Sequence, residues 1–284
     1  MSGTMQQAHK ESSWYSDWQH GEHARLFDRR SGLPSRSLVR DYESFNDVRM
    51  LNERLPELGK TRLLEIGCAT GEFSRYLQLK QPQVGYTGID LSEPAIRRAK
   101  QKYPEVRFLV CDPSLKLPES LRSLKLEANW PVVYTKDVVH HQTDPYGFLG
   151  QLLSVCSDTL VLRTRTRDKG ETVMDPDLSC QYHYQGWMPY LVLNVEELVG
   201  KIRQFAPGGE IRVCRTRRVL GGRENRFLPK ECYLPETGTA ETSVAVFRRG
   251  QRDKVTIIDR EEPPPPYPLG DRVAMRLRRG LRRR

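Results

Sequence analysis

The chain has 284 residues, 37% hydrophobic and 29% charged, which is enough apolar material for one large domain with extensions and excludes wholesale disorder. No apolar run approaches the roughly 20 residues that span a bilayer, and the opening MSGTMQQAHKESS lacks the apolar stretch of a secretory signal. The net charge is +10, but seven Arg and one Asp between Asp271 and Arg284 put +6 of it in a tail, so the body is only mildly basic.

Residues 1–40 are polar with interspersed aromatics (Trp14, Tyr15, Trp18, Phe27), the pattern of a flexible arm or of a lid over a cleft. Residues 41–58 place Phe45, Val48, Leu51 and Leu55 at helical spacing and predict one amphipathic helix. A regular alternation follows. Strands are predicted at 62–66, 85–90, 106–111, 131–135 and 159–164, with helices over 72–80, 93–103 and 144–156; Pro94 sits in the first turn of the second. Strands that are almost wholly apolar, alternating with helices, mean a parallel sheet covered on both faces. A helix over 194–205 has Asn194 as its N-cap. Strands at 210–219 and 241–249 are joined by a long loop without a helix, so this last pair is expected to be antiparallel. The expected organisation is an arm or lid over 1–40, a domain over 41–250, and a proline-rich linker with an Arg-rich tail over 251–284. The six cysteines (68, 111, 156, 180, 214, 232) form no CxxC pair and no metal-ligand spacing; reduced thiols in a cytoplasmic protein are expected, and no metal site is readable.

The segment LEIGCATGE (64–72) runs from a strand through a glycine turn into a helix. Small residues at Gly67, Ala69 and Gly71 let the backbone bend and approach a ligand, and the next helix points its first amides at it. Asp90, nineteen residues beyond Gly71 at the tip of the next strand, has the place and charge to grip two ribose hydroxyls. A dinucleotide fingerprint would need a small residue where Glu72 stands, and a phosphate-binding loop would need a GK[ST] that is absent.

The G-x-A-x-G spacing resembles the first motif of class I S-adenosylmethionine-dependent methyltransferases. The resemblance implies a Rossmann-like α/β fold: a seven-stranded, mostly parallel sheet with an antiparallel last strand and helices on both faces. It also implies S-adenosylmethionine as cofactor. Carried over, Glu65 lies near the cofactor's amino end, Asp90 with Leu91 at the ribose, and Asp112 in FLVCDPSLKLP at the adenine amino group or, alternatively, in a turn before Pro113. The fourth-strand motif resembles VVYTKDVVHHQTDP, with its HH-x-x-DP ending. Two positions depart from the pattern: Ala69 replaces the commoner middle glycine, and Lys136 stands near the methionine portion, where many members have a small or acidic residue. The implied cofactor set is Glu65, Gly67, Ala69, Gly71, Asp90, Leu91, Asp112 and Lys136.

His140, His141 and His183 are the candidates for a general base, needed only if the acceptor must lose a proton. Cys68 and Cys111 read as packed residues rather than nucleophiles, since nothing basic is placed to activate them. Tyr182, His183, Tyr184, Trp187 and Tyr190 crowd into nine residues of a loop expected to cover the substrate, with a small satellite core as the alternative. Arg163, Arg165 and Arg167 alternate along a strand end, either to bind an anionic group or as a solvated edge. The activity expected is methyl transfer to an oxygen or nitrogen of a small-molecule or saccharide-type acceptor. The alternatives are an RNA methyltransferase and a non-catalytic cofactor-binding or scaffold protein. The tail, with Val273, Leu277 and Leu281 every four residues among arginines, suits an anionic membrane surface, nucleic acid or a disordered solubilising end.

Overall fold

The computed structural model describes Trp18 and residues 32–183, 186–220, 225–233, 235–249 and 253–262. Strands β1 (Arg62–Ile66), β2 (Gly85–Asp90), β3 (Arg107–Val110), β4 (Trp130–Lys136) and β5 (Cys156–Arg167) run parallel in the spatial order β3-β2-β1-β4-β5. Because β1 is flanked by β2 and β4, the strand order reverses there, and such a switch point opens a crevice at the carboxyl ends of the strands. Beyond β5 lie β11 (Ala240–Phe247), β9 (Glu210–Arg217) and β12 (Val255–Asp259). β11 is antiparallel to both β5 and β9, as expected of the last pair, and β12 is parallel to β9. The seven expected strands are thus joined by β12 at the edge and by the two-residue β8 (Leu193–Asn194) beside the end of β5.

Successive strand residues point to opposite faces, and neighbouring residues here divide accordingly. Leu63, Val132 and Val161 pack with α1 (Ser35–Glu43), α2 (Asn46–Leu58) and α3 (Glu72–Lys80). Leu64, Val133, Leu160 and Leu162 pack with α5 (Leu117–Ser123), α6 (Pro145–Val155) and α7 (Val195–Phe205). α4 (Glu93–Lys102) sets Ile96 and Ala99 against Phe108 of β3. Three helices start on side-chain caps, which satisfy amides that the first turn leaves unbonded. Ser92 Oγ accepts from the Ala95 amide (3.3 Å), Asp144 Oδ1 from Gly147 (2.8 Å), and Asn194 Oδ1 from Glu196 and Glu197 (2.8 and 3.0 Å). No helix among the described residues is long and apolar enough to cross a membrane.

The helix expected over 41–58 is two helices. Ser44 Oγ donates to the Asp41 carbonyl at 2.6 Å, competing with the next helical amide, and Phe45 is extended at φ −84° and ψ 139°. α1 starts at Ser35 and buries Leu38 completely, so the domain begins before residue 41. It also continues past 250. The expected linker contains β12, and beyond it Glu262 is buried, accepting from the Asn46 amide (2.6 Å) and from Arg163 Nη2 (3.0 Å). The Arg-rich tail lies outside the described residues. The aromatic loop is a hairpin of β6 (Cys180–His183) and β7 (Gly186–Pro189), joined by β10 (Arg226–Phe227) into a separate three-stranded sheet.

Truncation after residue 250 removes β12 and Glu262, whereas truncation after 262 removes neither. In denaturant titrations the shorter chain is expected to be less stable than the longer by about 3 kcal/mol or more, as for any buried ion pair that loses one partner. Equal midpoints for the two would show that β12 and Glu262 are accessories to the fold.

Candidate active site

β1 ends in a turn whose backbone alternates into the left-handed region: Gly67 at φ 79°, Ala69 at 48° and Gly71 at 82°. A Cβ on Gly67 would collide with the Val138 side chain, and one on Gly71 would stand 2.6 Å from the Phe108 ring, so both positions demand glycine for space as well as for conformation. Ala69 tolerates the same region with a methyl group. The replacement is therefore not neutral, costing on the order of 1 kcal/mol in backbone strain. The turn is tied to the tip of β2: the Gly67 and Cys68 amides donate to the Ile89 carbonyl (2.9 and 3.1 Å) and the Ala69 amide to Asp90 Oδ2 (2.8 Å). Asp90 Oδ1 accepts from the Ser92 amide (2.8 Å), so the carboxylate is oriented by both of its neighbouring loops.

Of the three acids expected at the cofactor, Glu65 and Asp90 stand together and Asp112 stands apart. Glu65, Asp90 and Glu72 line a single cavity of about 370 Å³ at the switch point, with Gly67, Ala69 and Leu91 beside them. Glu65 is buried and accepts from the Tyr86 hydroxyl, and burial, reinforced by the Asp90 and Glu72 carboxylates, pushes its carboxyl up to about 8. Burial also raises Asp90, against the amides that hold it. Glu72 is bound by the Lys102 ammonium and by Thr70 Oγ1 (2.6 Å). Asp112 is elsewhere. It is exposed, lies outside the cavity lining, and closes a turn by accepting from the Ser114 hydroxyl (2.6 Å) and amide (2.8 Å), which lower its carboxyl. The turn alternative therefore describes Asp112. Burial pushes the Cys68 thiol far up and that of Cys111 up to about 12, leaving both inert.

Lys136 lines the cavity with its ammonium 3.2 Å from the centre of the Phe45 ring, a cation–π seat supplied by the start of α2. The next residue, Asp137, has φ 58° and accepts from Arg163 Nη1 (3.1 Å) and Arg165 Nη1 (2.9 Å), which hold its carboxyl far below the usual range against the opposing effect of burial. The three alternating arginines are not a solvated edge. All are buried, Arg163 also reaching Glu241 (2.5 Å) and Glu262, Arg165 donating to the Tyr190 hydroxyl (3.0 Å), and Arg167 facing Cys232. Of the three, Arg165 lines the cavity.

His140 and His141, on a short 3-10 turn after β4, are buried and line the same cavity. His141 Nδ1 is 2.6 Å from the Pro189 carbonyl, which can only accept, so Nδ1 carries the proton and the lone pair sits on Nε2. Burial lowers His141 to about 4 and lowers His140 as well, so both are neutral at pH 7. The side chain of His183, and Tyr184, lie outside the described residues. Tyr190 is buried against both imidazoles and lines the cavity, whereas Trp187 pairs with Tyr182 and Phe227 on the outer face of the small sheet and does not. The aromatic segment covers the cavity through Tyr190 and Gln181 rather than through Trp187. Trp18, from the stretch read as an arm or lid, also lines it and meets His141 edge-on at 5.5 Å. Gln181 and Arg226 had no local sequence signal, since strand pairing across 45 residues brings them together. Among the described residues no cluster of His, Cys, Asp and Glu has the arrangement to hold a metal.

Glu65 and His141 set opposite pH limits on stability. The folded-state value of Glu65 is raised, so its contribution is complete below about 4.5 and is lost as pH rises towards 8; that of His141 is depressed, so its contribution is complete above about 6.5 and is lost as pH falls towards 4. Each group alone is worth about 3–5 kcal/mol, and between about pH 4.5 and 6.5 the two oppose each other. Denaturant midpoints from pH 4 to 9 are expected to show a maximum in the mildly acidic range, with Glu65→Gln flattening the alkaline limb and His141→Gln the acid one. A wild-type profile level across both limbs would contradict the burial of these groups.

Residues 64–159, from the middle of β1 into β5, match the family model described as a methyltransferase domain. No curated protein matches the sequence. Among solved structures, the chain is similar to phosphoethanolamine N-methyltransferase 2 of Haemonchus contortus in complex with phosphomonomethylethanolamine and S-adenosylhomocysteine, at 14% identity over 80% of this chain and 60% of that one, with a TM-score of 0.49. It spans, therefore, 60% of the length of that protein. It is also similar to magnesium protoporphyrin IX methyltransferase of Synechocystis PCC 6803 with bound S-adenosylhomocysteine, at 16% identity over 82% and 96% of the two chains and a TM-score of 0.49. The segment that the family model matches opens on the turn that crowds Glu65 and Asp90 into one cavity at the switch point of a Rossmann-like sheet.

Proposed function

We propose that the protein moves the methyl group of S-adenosylmethionine onto an oxygen or nitrogen nucleophile of a small-molecule or saccharide-type acceptor. The observation that carries this reading is that the two acids of the glycine turn and two neutral imidazoles line one cavity. The residues present fit the cofactor. Glu65 is a buried carboxyl that a neighbouring ammonium would ionise, and Asp90 is already oriented by two backbone amides to accept ribose hydroxyls. The sulfonium supplies an inherently reactive methyl group, so the chain contributes alignment and exclusion of water. Gly67 and Ala69 shape the floor on a turn that Gly71 closes against Phe108, Leu91 lies against the nucleoside side, and Lys136 borders the methionine side. His141 is the base, because its Nδ1–H is committed to Pro189 and Nε2 is left to accept a proton from the acceptor; His140 packs against it at 4.2 Å between ring centres. Trp18 and Tyr190 close the cavity around that imidazole.

Calorimetry with S-adenosylhomocysteine tests the assignment. Asp90→Ala is expected to weaken binding by about 2–3 kcal/mol, the worth of hydrogen bonds to a charged group. Binding at pH 7 is expected to release a proton, seen as a dependence of the heat on buffer ionisation, and Glu65→Gln is expected to abolish that release. His141→Gln is expected to lower turnover on a metabolite found by screening with methyl-labelled cofactor by about 10²-fold, with cofactor affinity unchanged. Binding of NADH in place of S-adenosylhomocysteine, or of neither, would overturn the reading.

A further inference from the structure

Tyr190 is held more firmly than a cavity wall requires. Its amide donates to the Ser179 carbonyl (2.9 Å) and its carbonyl accepts from Ser179 Oγ (2.8 Å), so the backbone is clamped on both sides. The residue is 1% exposed, packs with Val192, Leu220 and Leu228, and meets the His140 and His141 imidazoles edge-on at 5.2 and 5.8 Å. Its hydroxyl accepts from Arg165 Nε at 3.0 Å. That guanidinium is fixed in turn, because Nη1 donates to Asp137 (2.9 Å) and Nη2 faces Glu241 (3.5 Å). Arginine only donates, so the phenolic proton points elsewhere, and no described residue accepts it. Both partners of this hydrogen bond line the cavity.

We infer that the Tyr190 hydroxyl is a specificity-determining donor of the acceptor chamber, and that the acceptor carries, besides the atom that takes the methyl group, a second oxygen that accepts from it. The inference rests on the methyltransferase reading and narrows it. A phenol that accepts from a cation donates more strongly through its own O–H. A buried donor without a partner is costly, so such a site discriminates against molecules that supply no acceptor. The placement assigns the donor to the acceptor substrate: Tyr190 stands against His141, whose Nε2 takes the proton of the nucleophile, whereas Glu65 and Asp90 form the acidic end. A molecule gripped at both points is fixed in rotation as well as in position, which in-line transfer demands. Vicinal diols, catechols and hydroxycarbonyl compounds carry such a pair of groups. Lone alcohols, phenols and simple amines do not.

The test uses the full chain loaded with S-adenosylhomocysteine and titrated, by NMR, with catechol against phenol and with trans-1,2-cyclohexanediol against cyclohexanol. Within each pair one member lacks the second oxygen, so the difference in affinity reports the partner of that oxygen. Wild-type protein is expected to bind the dioxygen member of at least one pair about 10-fold more tightly. Tyr190→Phe is expected to erase that preference, binding phenol or cyclohexanol as the wild type does and keeping wild-type affinity for S-adenosylhomocysteine. The Cζ resonance of Tyr190, read in wild-type protein with labelled tyrosine, is expected to move further with the dioxygen member than with the other, a measurement that needs no variant. Equal weakening of both members in Tyr190→Phe would make the hydroxyl structural and overturn the inference. It is equally overturned if the wild type shows no preference or binds neither pair, or if the preference survives in Tyr190→Phe. Loss of S-adenosylhomocysteine affinity in Tyr190→Phe would assign the hydroxyl to the cofactor and also overturn it. Failure of wild-type protein to bind S-adenosylhomocysteine would instead overturn the methyltransferase reading beneath it.

Discussion

Arg163 and Arg165 leave β5 on one face, two residues apart, at a depth where water does not neutralise them. Carboxylates from three separate places meet them: Asp137 from the end of β4, Glu241 from β11 and Glu262 from beyond β12. Arg218 joins through Glu241 at 3.2 Å, which balances three guanidiniums against three carboxylates. Removing two charges from water costs more than their attraction returns unless the geometry is complete. The cluster is therefore intelligible only as a unit. It forces β4, β5, β11 and the segment at Glu262 into one arrangement, and through the Asn46 amide it draws in the start of α2. Asp137, in the left-handed region and paired with these two arginines, is the last residue before the chain turns into Val138 and the two histidines.

That arrangement gives the chamber its chemistry. The acidic end is built from the tips of the central strands, where a switch point opens the sheet. Arg165 of β5 and Arg226 of the small sheet line the same cavity. The imidazoles are kept neutral mainly by burial, so each carries one ring proton and can accept a second. Lys136 is restrained differently, by the face of Phe45, which offers a cation a partner without supplying a negative charge to the cavity. The Gly67–Gly71 turn contributes shape: its two glycines are required by Val138 on one side and Phe108 on the other, so the turn is fixed by core packing.

What the chain order reveals is whatever acts over short range. The alternation of strands and helices, the cap at Asn194, the glycine turn and the acid at the tip of β2 all depend on neighbours within a few residues or on a period, and all are legible before any coordinates. The single helix read over 41–58 failed on an interaction equally local, the Ser44 hydroxyl on the Asp41 carbonyl, because a hydrophobic period does not register one hydrogen bond. α5, seven residues long, is too short to show a period at all.

The sequence by itself determined the parallel sheet, the glycine turn with Glu65 and Asp90 beside it, and the identity of the imidazoles. Only the tertiary structure decided that the arginines of β5 are buried and paired, that Asp112 turns away to Ser114, that Trp187 faces outward while Tyr190 faces in, and that the domain runs on to Glu262. The physical reason is common to all four. Each depends on a partner brought up by long-range strand pairing or packing, such as Glu241 opposite Arg165 or Arg226 opposite Gln181. A strand's residue pattern specifies which side chains share a face; which face is buried, and what charge waits there, is set by chain that arrives from far away.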